Sequence, residues 1–408
     1  MCLRADLTDA FLNLDADEQV RQAHLEAAGM QSLRLIASPD DSCWDPKIKH
    51  LGHPIAANVG GTYVLAFNLN RRHGQNYGIA VIRSTDRGAT WSEPAVLPVP
   101  RGMPEIVTPD WISTAPPGTF PVWMTGIGRT ADDALVIVSR LGVFRSDDRG
   151  ESWQRISTSI RGDNADRRQL LQTGGRLVHD PQRGLLFAAH NCHGVQRLHD
   201  TDYARGVYSN CIPPPELWLA VSPDQGKTWD MTCYQIPPEL ASGEAACTVY
   251  KDHVVAIGRG MAHEAYDPET ATWRYTQFVL APGAETWQGR FTTMRASDVR
   301  HLGGEQTSPF GGSHCLDTVS LDLNPVTGRL EVVATNRDGG GEGEYDVHTH
   351  NTLNLFSIDP GKLIDGSATW RFEGTLLRRA GLTHMPIPAY PTRYDGMHPS
   401  AAIVDADA

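Results

Sequence analysis

Two features are missing from the sequence: a long apolar run and a dense cluster of basic residues. No stretch of about 18 consecutive apolar residues occurs, so we expect no membrane-spanning helix. Lys and Arg number 36 against 48 Asp and Glu, which gives a formal net charge of −12. Because phosphate binding needs a basic surface, this balance argues against nucleic acid as the main partner. An anion would have to bind in a local basic pocket.

A cysteine framework and an export signal are also missing. The seven cysteines are odd in number and form no CxxC pair, which favours reduced thiols over a disulfide framework or a zinc site. The first 29 residues carry Asp and Glu where a signal peptide would have an apolar core, and they predict a short amphipathic helix. We therefore expect a cytoplasmic protein, or a secreted one if the sequence has been trimmed at its start.

Three eight-residue segments repeat the pattern S-x-D-x-G-x-[TS]-W. They are STDRGATW (Ser84–Trp91), SDDRGESW (Ser146–Trp153) and SPDQGKTW (Ser222–Trp229). Ser and Asp hydrogen-bond to turn backbone, Gly supplies a position with positive φ, and Trp packs into a core at the start of the next strand. Each copy follows a β-rich run, so the pattern predicts three hairpins.

These segments resemble the Asp-box, the hairpin signature of sialidase-like β-propellers. The resemblance implies that each hairpin joins the third and fourth strands of a blade, and that Asp86, Asp147 and Asp224 stabilise turns rather than catalyse. We therefore predict an all-β fold, a six- or seven-bladed β-propeller with Asp-box hairpins over residues 51–408. A short, partly helical N-terminal extension over residues 1–50 precedes it.

A short phrase opening with His-Pro occurs near both ends of the chain. HPIAANV begins at His53 and HPSAAIV begins at His398, and the two share five of seven positions. Both fit the innermost strand of a blade, where small Ala side chains suit the crowded centre. The chain stops soon after the second copy. Either a strand of the N-terminal segment, such as Gln31–Ser38, closes the ring, or the sequence is shorter than its relatives.

In a propeller the starts of the innermost strands and the loops between second and third strands line one face around the axis. His and Arg are concentrated in these segments, which predicts an imidazole-rich, basic pocket on an acidic protein and hence an acidic ligand. Histidine next to Pro at a strand start also has a purely structural interpretation. The candidate catalytic residues are His53, His398 and His190, and the candidate substrate-binding residues are Arg72, His73, His193, Arg259, His263, Arg337, His348, His350 and Arg393.

The layout of the first blade resembles that of sialidases, with His53 where the first carboxylate-binding arginine would stand. No Tyr occurs in the segment around His398 where the sialidase nucleophile would be expected. The His-Pro phrases and His-rich loops look more like the propeller lyases that remove L-rhamnose from glucuronate, and related α-L-rhamnosidases. That resemblance implies a lyase cleaving L-rhamnose-α-1,4-D-glucuronate by β-elimination. A glycoside hydrolase and a non-catalytic glycan- or protein-binding propeller remain alternatives.

Elimination from a uronate needs a neutralised carboxylate and a base with a pKa near neutrality, roles that suit Arg and His. We expect His53 to act as base or acid with His398 or His190 as its partner. No cofactor is required by this chemistry. His348 with His350, or His190 with His193, offer ligands for a transition metal, and a Ca²⁺ ion in the axial channel is a further option. The sequence leaves the oligomeric state open.

Overall fold

A computed structural model gives the architecture of the protein. It describes residues 36–37, 41–48, 50–72, 75–99, 124–139, 141–162, 176–190, 216–240, 242–260, 263–267, 272–294, 315–339 and 348–380. Within these residues the fold is almost entirely β-structure, as predicted. The expected N-terminal helix and the second His-Pro phrase lie outside the described residues.

The first two blades are four-stranded antiparallel sheets whose strands neighbour each other in chain order. Blade one consists of β1 (His50–Val59), β2 (Thr62–Arg72), β3 (Gln75–Ser84) and β4 (Ala95–Val96). Blade two consists of β5 (Met124–Arg129), β6 (Leu135–Ser139), β7 (Gly142–Ser146) and β8 (Gln154–Ile156). Blade one has the four strands that the sequence pattern predicts.

The next three blades follow the same order with small additions. Strand β9 (Ser159–Gly162) pairs in parallel with the last strand of blade three, which consists of β10 (Val178–Asp180), β11 (Gly184–His190), β12 (Glu216–Ser222) and β13 (Thr228–Gln235). Blade four has β14 (Ser242–Tyr250), β15 (His253–Gly260), an inserted hairpin of β16 (Tyr266–Asp267) and β17 (Thr272–Trp273), then β18 (Tyr275–Leu280) and β19 (Gln288–Thr292). Blade five has β20 (Cys315–Leu323), β21 (Leu330–Gly339), β22 (His348–Ile358), helix α1 (Pro360–Asp365) and β23 (Arg371–Ala380).

The blades follow one another around a ring. The innermost strand of each blade contacts that of the next, in the order β1, β5, β10, β14 and β20. The described residues therefore form five blades, and the prediction of six or seven is wrong for this part of the chain. The sequence estimate also counted the second His-Pro phrase as the start of a further blade, and that phrase lies outside the described residues.

Each pair of neighbouring blades encloses its own apolar core, because side chains alternate between the two faces of a strand. Two tryptophans also hydrogen-bond to the preceding blade: the Trp287 indole N–H donates to the Leu217 carbonyl oxygen over 3.1 Å, and that of Trp370 donates to Gln277 Oε1 over 3.1 Å. The four cores include Ile79 with Phe144, Phe187 with Trp229, Leu186 with Phe278, and Tyr275 with Phe356.

The free face of blade one is covered by the segment that precedes β1. Trp44 and Ile48 are buried against Phe67 and neighbouring apolar side chains of β2 and β3. The Trp44 and Phe67 rings meet edge-on with centroids 5.9 Å apart. This face lies opposite the core shared with blade two, so residues before β1 contribute packing that another blade would otherwise supply.

The expectation of reduced thiols without a disulfide is wrong. Cys43 is disulfide-bonded. Cys247 is a free, fully buried thiol, and burial raises its pKa to about 12, so it is unreactive near neutral pH. None of the helices in the described part of the chain has the length and apolar character that a membrane span requires.

The three S-x-D-x-G-x-[TS]-W turns join the third and fourth strands of blades one to three, where the pattern was expected to place them. In the first turn, Thr90 donates from its backbone N–H to Asp86 Oδ1 over 2.8 Å and from Oγ1 to Oδ2 over 2.6 Å. The Ser84 hydroxyl donates to Asp86 Oδ1 over 2.8 Å and accepts from the Gly88 N–H over 2.8 Å. The carboxylate is thus engaged within its own turn.

In the second turn, the aspartate that closes the turn is not the one that the sequence predicted. Asp148, not Asp147, accepts from the Ser152 N–H over 2.8 Å and from the Ser152 hydroxyl over 2.5 Å. Asp147 instead accepts from Arg145 Nε over 2.8 Å on the surface. In the third turn Asp224 accepts from the N–H and hydroxyl of Thr228. The carboxylate at the third position of the pattern therefore closes every turn.

The adjacent acids of the second turn give a matched pair for mutagenesis. Replacing Asp148→Ala removes hydrogen bonds from Ser146 and Ser152 and should lower the free energy of unfolding by about 1 to 2 kcal/mol. Replacing Asp147→Ala removes an exposed ion pair and should cost less than about 1 kcal/mol. Urea unfolding of both variants measures the difference. Equal losses would show that Asp148 does not stabilise the turn.

The first turn should make stability depend on acid pH. Hydrogen bonds from Thr90 lower the pKa of Asp86 from 3.8 to about 2. A carboxyl with a lowered folded-state pKa stabilises the fold above its ordinary pKa, and that contribution disappears as pH falls from about 4 to about 2. The urea midpoint of the wild type should fall more steeply over this range than that of Asp86→Asn. Parallel pH profiles for the two proteins would contradict this assignment.

Candidate functional site

One end of the ring brings together the starts of the innermost strands and the ends of the second strands. Because β1 and β2, β14 and β15, and β20 and β21 pair antiparallel, the second strand of each pair ends where the first begins. We call this the site end. The three S-x-D-x-G-x-[TS]-W turns follow third strands, which start at the site end, and so lie at the opposite end.

The innermost strands of blades one, four and five contain a β-bulge near the site end, where two residues oppose one on the second strand. The bulges lie between Gly52 and Ile55, between Gly243 and Ala246, and between Leu316 and Val319. Strand β5 has a related irregularity between Met124 and Gly126. A bulge interrupts the regular alternation and redirects a side chain, and bulges are common beside active sites.

In each of these three strands, the first residue of the bulge is of a type that can transfer protons. These residues are His53 in β1, Glu244 in β14 and Asp317 in β20. Each immediately follows a residue paired with the second strand: Gly52 with Asn68, Gly243 with Arg259, and Leu316 with Asn336. The fold therefore places an imidazole residue and two carboxylic acid residues at equivalent points on three innermost strands.

The backbone of His53 has an uncommon conformation. Its φ is 52°, in the left-handed region that residues with a Cβ rarely adopt. The strand begins three residues earlier, at His50, so His53 lies at the bulge rather than at the strand start that the sequence predicted. The side chain is partly buried, and its Nδ1 lies 3.4 Å from Nδ2 of Asn68, which is fully buried in β2.

Most predicted site residues within the described chain lie on strands that reach the site end. Arg72 ends β2, His190 ends β11, and Arg259 is next to last in β15. Arg337 is near the end of β21, paired with Cys315 and Asn351. His348 and His350 open β22, opposite Gly339 and Asp338, and His263 begins a short 3₁₀ turn beyond β15. The fold thus brings residues from four blades to one end.

Four of the predicted residues lie outside the described part of the chain: His73, His193, Arg393 and His398. Within the described residues, no group of three or more His, Cys, Asp or Glu side chains could hold a metal ion. The proposals of a transition metal or Ca²⁺ remain predictions.

Sequence reasoning missed two residues of this region. Asp317 was overlooked because it lies inside an apolar strand pattern that does not show where β20 bulges. Asn68 was not among the candidate residues, and it lies in β2 with its backbone paired to Gly52 and Ile79. Aligning the first strands by the small or apolar residues after the bulge would have matched Asp317 to Glu244. No sequence signal identifies Asn68.

Comparison with solved structures shows that this chain shares the β-propeller fold of sialidases. A Hadza microbial sialidase, Hz136, aligns over 92% of this chain and 66% of its own, with a TM-score of 0.50 and 14% identity. A Trypanosoma rangeli sialidase in complex with sialic acid aligns over 82% and 49%, with a TM-score of 0.46 and 12% identity. A Dyadobacter fermentans protein of unknown function aligns over 82% and 96%, with a TM-score of 0.45 and 14% identity.

The chain thus spans about two thirds of the length of sialidase Hz136 and about half of the length of the Trypanosoma rangeli sialidase. No protein-family model and no curated protein matches the sequence. At this level of identity the likeness concerns the fold.

The positive φ of His53 indicates backbone strain, which should lower the free energy of unfolding. Glycine adopts a positive φ without a Cβ clash, so His53→Gly should have a free energy of unfolding about 1 kcal/mol higher than His53→Ala. Ala57, in the regular part of the same strand, provides the control, since Ala57→Gly should lower stability by about 1 kcal/mol. Urea unfolding measures all three variants. A His53→Gly protein no more stable than His53→Ala would refute the strain.

Proposed function

We propose that the protein is a carbohydrate-active enzyme that acts on a terminal acidic glycan at the site end of the propeller. The observation that carries this proposal is the set of matching bulges, which gives His53, Glu244 and Asp317 equivalent positions on three innermost strands. Residues of types able to transfer protons thereby lie at one end of the ring. Convergence of this kind is typical of a catalytic pocket rather than a docking surface.

The charge of the strand ends supports an acidic substrate. Arg72, Arg259 and Arg337 end or nearly end three second strands at the site end, although the protein as a whole carries a net charge of −12. Arginine binds a carboxylate through two parallel hydrogen bonds, which a neutral sugar cannot match. A local concentration of positive charge also attracts an anionic ligand against the overall field.

The favoured reaction is elimination from an L-rhamnose-α-1,4-D-glucuronate terminus. Arginines neutralise the uronate carboxylate, which makes the C5 proton more acidic. A base removes that proton, the electron pair of the C5–H bond forms the C4–C5 double bond, and the C4–O bond breaks. The departing oxygen takes up a proton, so the products are rhamnose and an unsaturated uronate. Imidazoles at the site end, including those of His53 and His190, are the groups suited to proton transfer near neutral pH.

A hydrolase is the second candidate, and one observation favours it. Glu244 and Asp317 occupy matching bulge positions on β14 and β20, which are innermost strands in contact with each other. Glycoside hydrolysis uses two carboxyl groups, one as acid and the other as base or nucleophile. The product distinguishes the two reactions, because hydrolysis leaves a saturated uronate.

The test compares rhamnosyl-glucuronate oligosaccharides with neutral rhamnosides. We expect turnover only with the acidic substrates and an ultraviolet absorbance from the unsaturated product. Arg337→Gln should lower turnover about a hundredfold or more by removing a carboxylate contact. Arg371→Gln is the control, since Arg371 begins β23 at the opposite end of the same blade.

Three results would change the proposal. Preference for neutral glycans would contradict it. Saturated products would assign hydrolysis. Binding of the acidic glycan without any product would leave a glycan-binding propeller.

A further inference from the structure

We infer that the ion pair between Arg176 and Asp322 crosses the axial side of the propeller and sets the spacing of the site-end residues that blades three and five contribute. The inference deepens the proposed function and rests on it for the reaction, whereas the crossing contact can be tested without any substrate. Both residues are positioning residues in this scheme, because they act through the strands that they join.

The ion pair joins two distant parts of the chain. Nη1 of Arg176 contacts Oδ2 of Asp322, although the two residues are 146 positions apart. Arg176 lies two positions before β10 in blade three, and Asp322 is next to last in β20 of blade five. Each side chain is 22% exposed, so the pair is largely shielded from water. Ion pairs in such a setting are screened less than pairs on the open surface.

The strands that the pair connects are not neighbours in the ring. Strand β14 of blade four contacts both β10 and β20 and lies between them. Blade four extends outward from β14 through β15, β18 and β19, in that order. Asp322 lies within the β20–β21 ladder, opposite Glu331, and not in the turn beyond it. The pair therefore passes on the inner side of β14, at the axis.

The chain beside Arg176 is held against blade two. The Leu177 N–H donates to the Ile127 carbonyl oxygen of β5 over 3.0 Å, and the Leu177 side chain is buried in the core between blades two and three. Gly128 permits this close approach, since a Cβ there would lie 2.4 Å from Cβ of Leu177. The guanidinium of Arg176 thus extends from a fixed point of the backbone.

The core between blades four and five holds the other partner. Leu321 and Leu323 pack into that core, so Asp322 lies on the opposite face of β20. The Leu323 N–H donates to Asp322 Oδ1 over 3.0 Å, which orients the carboxylate from its own strand. Glu331 lies directly opposite on β21. Two acidic residues in facing positions destabilise a sheet, and the positive charge of Arg176 offsets this effect.

The pair bears on the site end through the strands that it joins. Asp322 is five residues from Asp317, the bulge residue of the same innermost strand. Strand β10, which Arg176 precedes, pairs with β11, and β11 ends at His190. The ring relates His190 to Asp317 through blade four, whereas the ion pair relates their strands directly. Because a displacement of about 1 Å can lower a rate about a hundredfold, a direct connection of this kind matters for catalysis.

A second ion pair supplies a matched control. Asp180 ends β10, and its Oδ2 lies 2.6 Å from Nη1 of Arg183 in the turn that follows. Asp180 and Asp322 both lie near the ends of innermost strands, away from the site end. The Asp180 pair stays within one hairpin, whereas the Asp322 pair joins two blades. Replacing either aspartate with Asn removes a charge at nearly constant size.

The first experiment needs no substrate. Amide hydrogen exchange, followed by mass spectrometry, compares β10 and β20 with β2 of blade one, which reports any general loss of stability. In Asp322→Asn we expect the amides of β10 to exchange about tenfold faster relative to β2, although the substitution lies in β20. In Asp180→Asn the exchange of β20 should keep its wild-type value. Unchanged exchange of β10 in Asp322→Asn would overturn the inference.

A double variant shows whether the two residues act through one contact. Once Arg176→Gln has removed the guanidinium, adding Asp322→Asn should accelerate exchange of β10 no further. A further increase as large as that in the single variant would show that Asp322 acts independently of Arg176, against the inference. If Asp322→Asn fails to fold, Arg176→Gln decides, because loss of the pair should then accelerate exchange in β20, and wild-type exchange there would contradict it.

The second experiment measures positioning in catalysis. Asp322→Asn should lower kcat on the rhamnosyl-glucuronate substrate about tenfold or more and leave KM within about threefold, since neither partner contacts the substrate. Arg176→Lys, which keeps a cation near Asp322, should retain kcat within about threefold. Asp180→Asn should retain the wild-type kcat. An unaltered kcat in folded Asp322→Asn, or an equal loss in Asp180→Asn, would overturn the positioning role.

The two experiments separate this inference from the proposed function. Absence of uronate turnover in the wild type would overturn the proposed function. The exchange measurements would still establish or refute the contact between blades three and five.

Discussion

Face-to-face packing of neighbouring sheets is the constraint on which the rest of the structure depends. Blades two, three and four each place alternate side chains into a core on either side, so neighbouring blades stabilise one another. Fully buried aromatic residues such as Trp229 and Phe278 fill these cores. The innermost strands are forced together around one axis. A site on that axis can draw residues from several blades although they are far apart in the sequence.

The requirement for a neighbour explains the position of the segment before β1. One face of blade one packs on blade two, and Trp44 and Ile48 pack on the other. Apolar burial of this kind contributes about 25 cal/mol per Å², so the cover stabilises the first blade. It also means that residues ahead of the first strand belong to the packing of the ring, a role that their composition does not reveal.

The regular parts of the innermost strands build the cores, whereas the bulges near their starts carry candidate site residues. Downstream of the bulges, β1, β14 and β20 follow the alternation that builds the cores. At the bulges the alternation is interrupted, and His53 adopts a positive φ that a glycine would tolerate better. Strain of about 1 to 3 kcal/mol at such a residue persists only when the surrounding structure enforces it. Here the paired strand and the following proline provide that enforcement.

The sequence alone determined the repeated turns and the order of strands in blade one. These features depend on residues within eight or ten positions of each other, so local hydrogen bonding and alternation reveal them. Tertiary structure alone decided that Asp148 closes the second turn while Asp147 faces Arg145, that Asp317 matches Glu244, and that Asn68 meets His53. The reason is register: a bulge shifts which residues face each other across two strands, and that shift is fixed by pairing between distant parts of the chain.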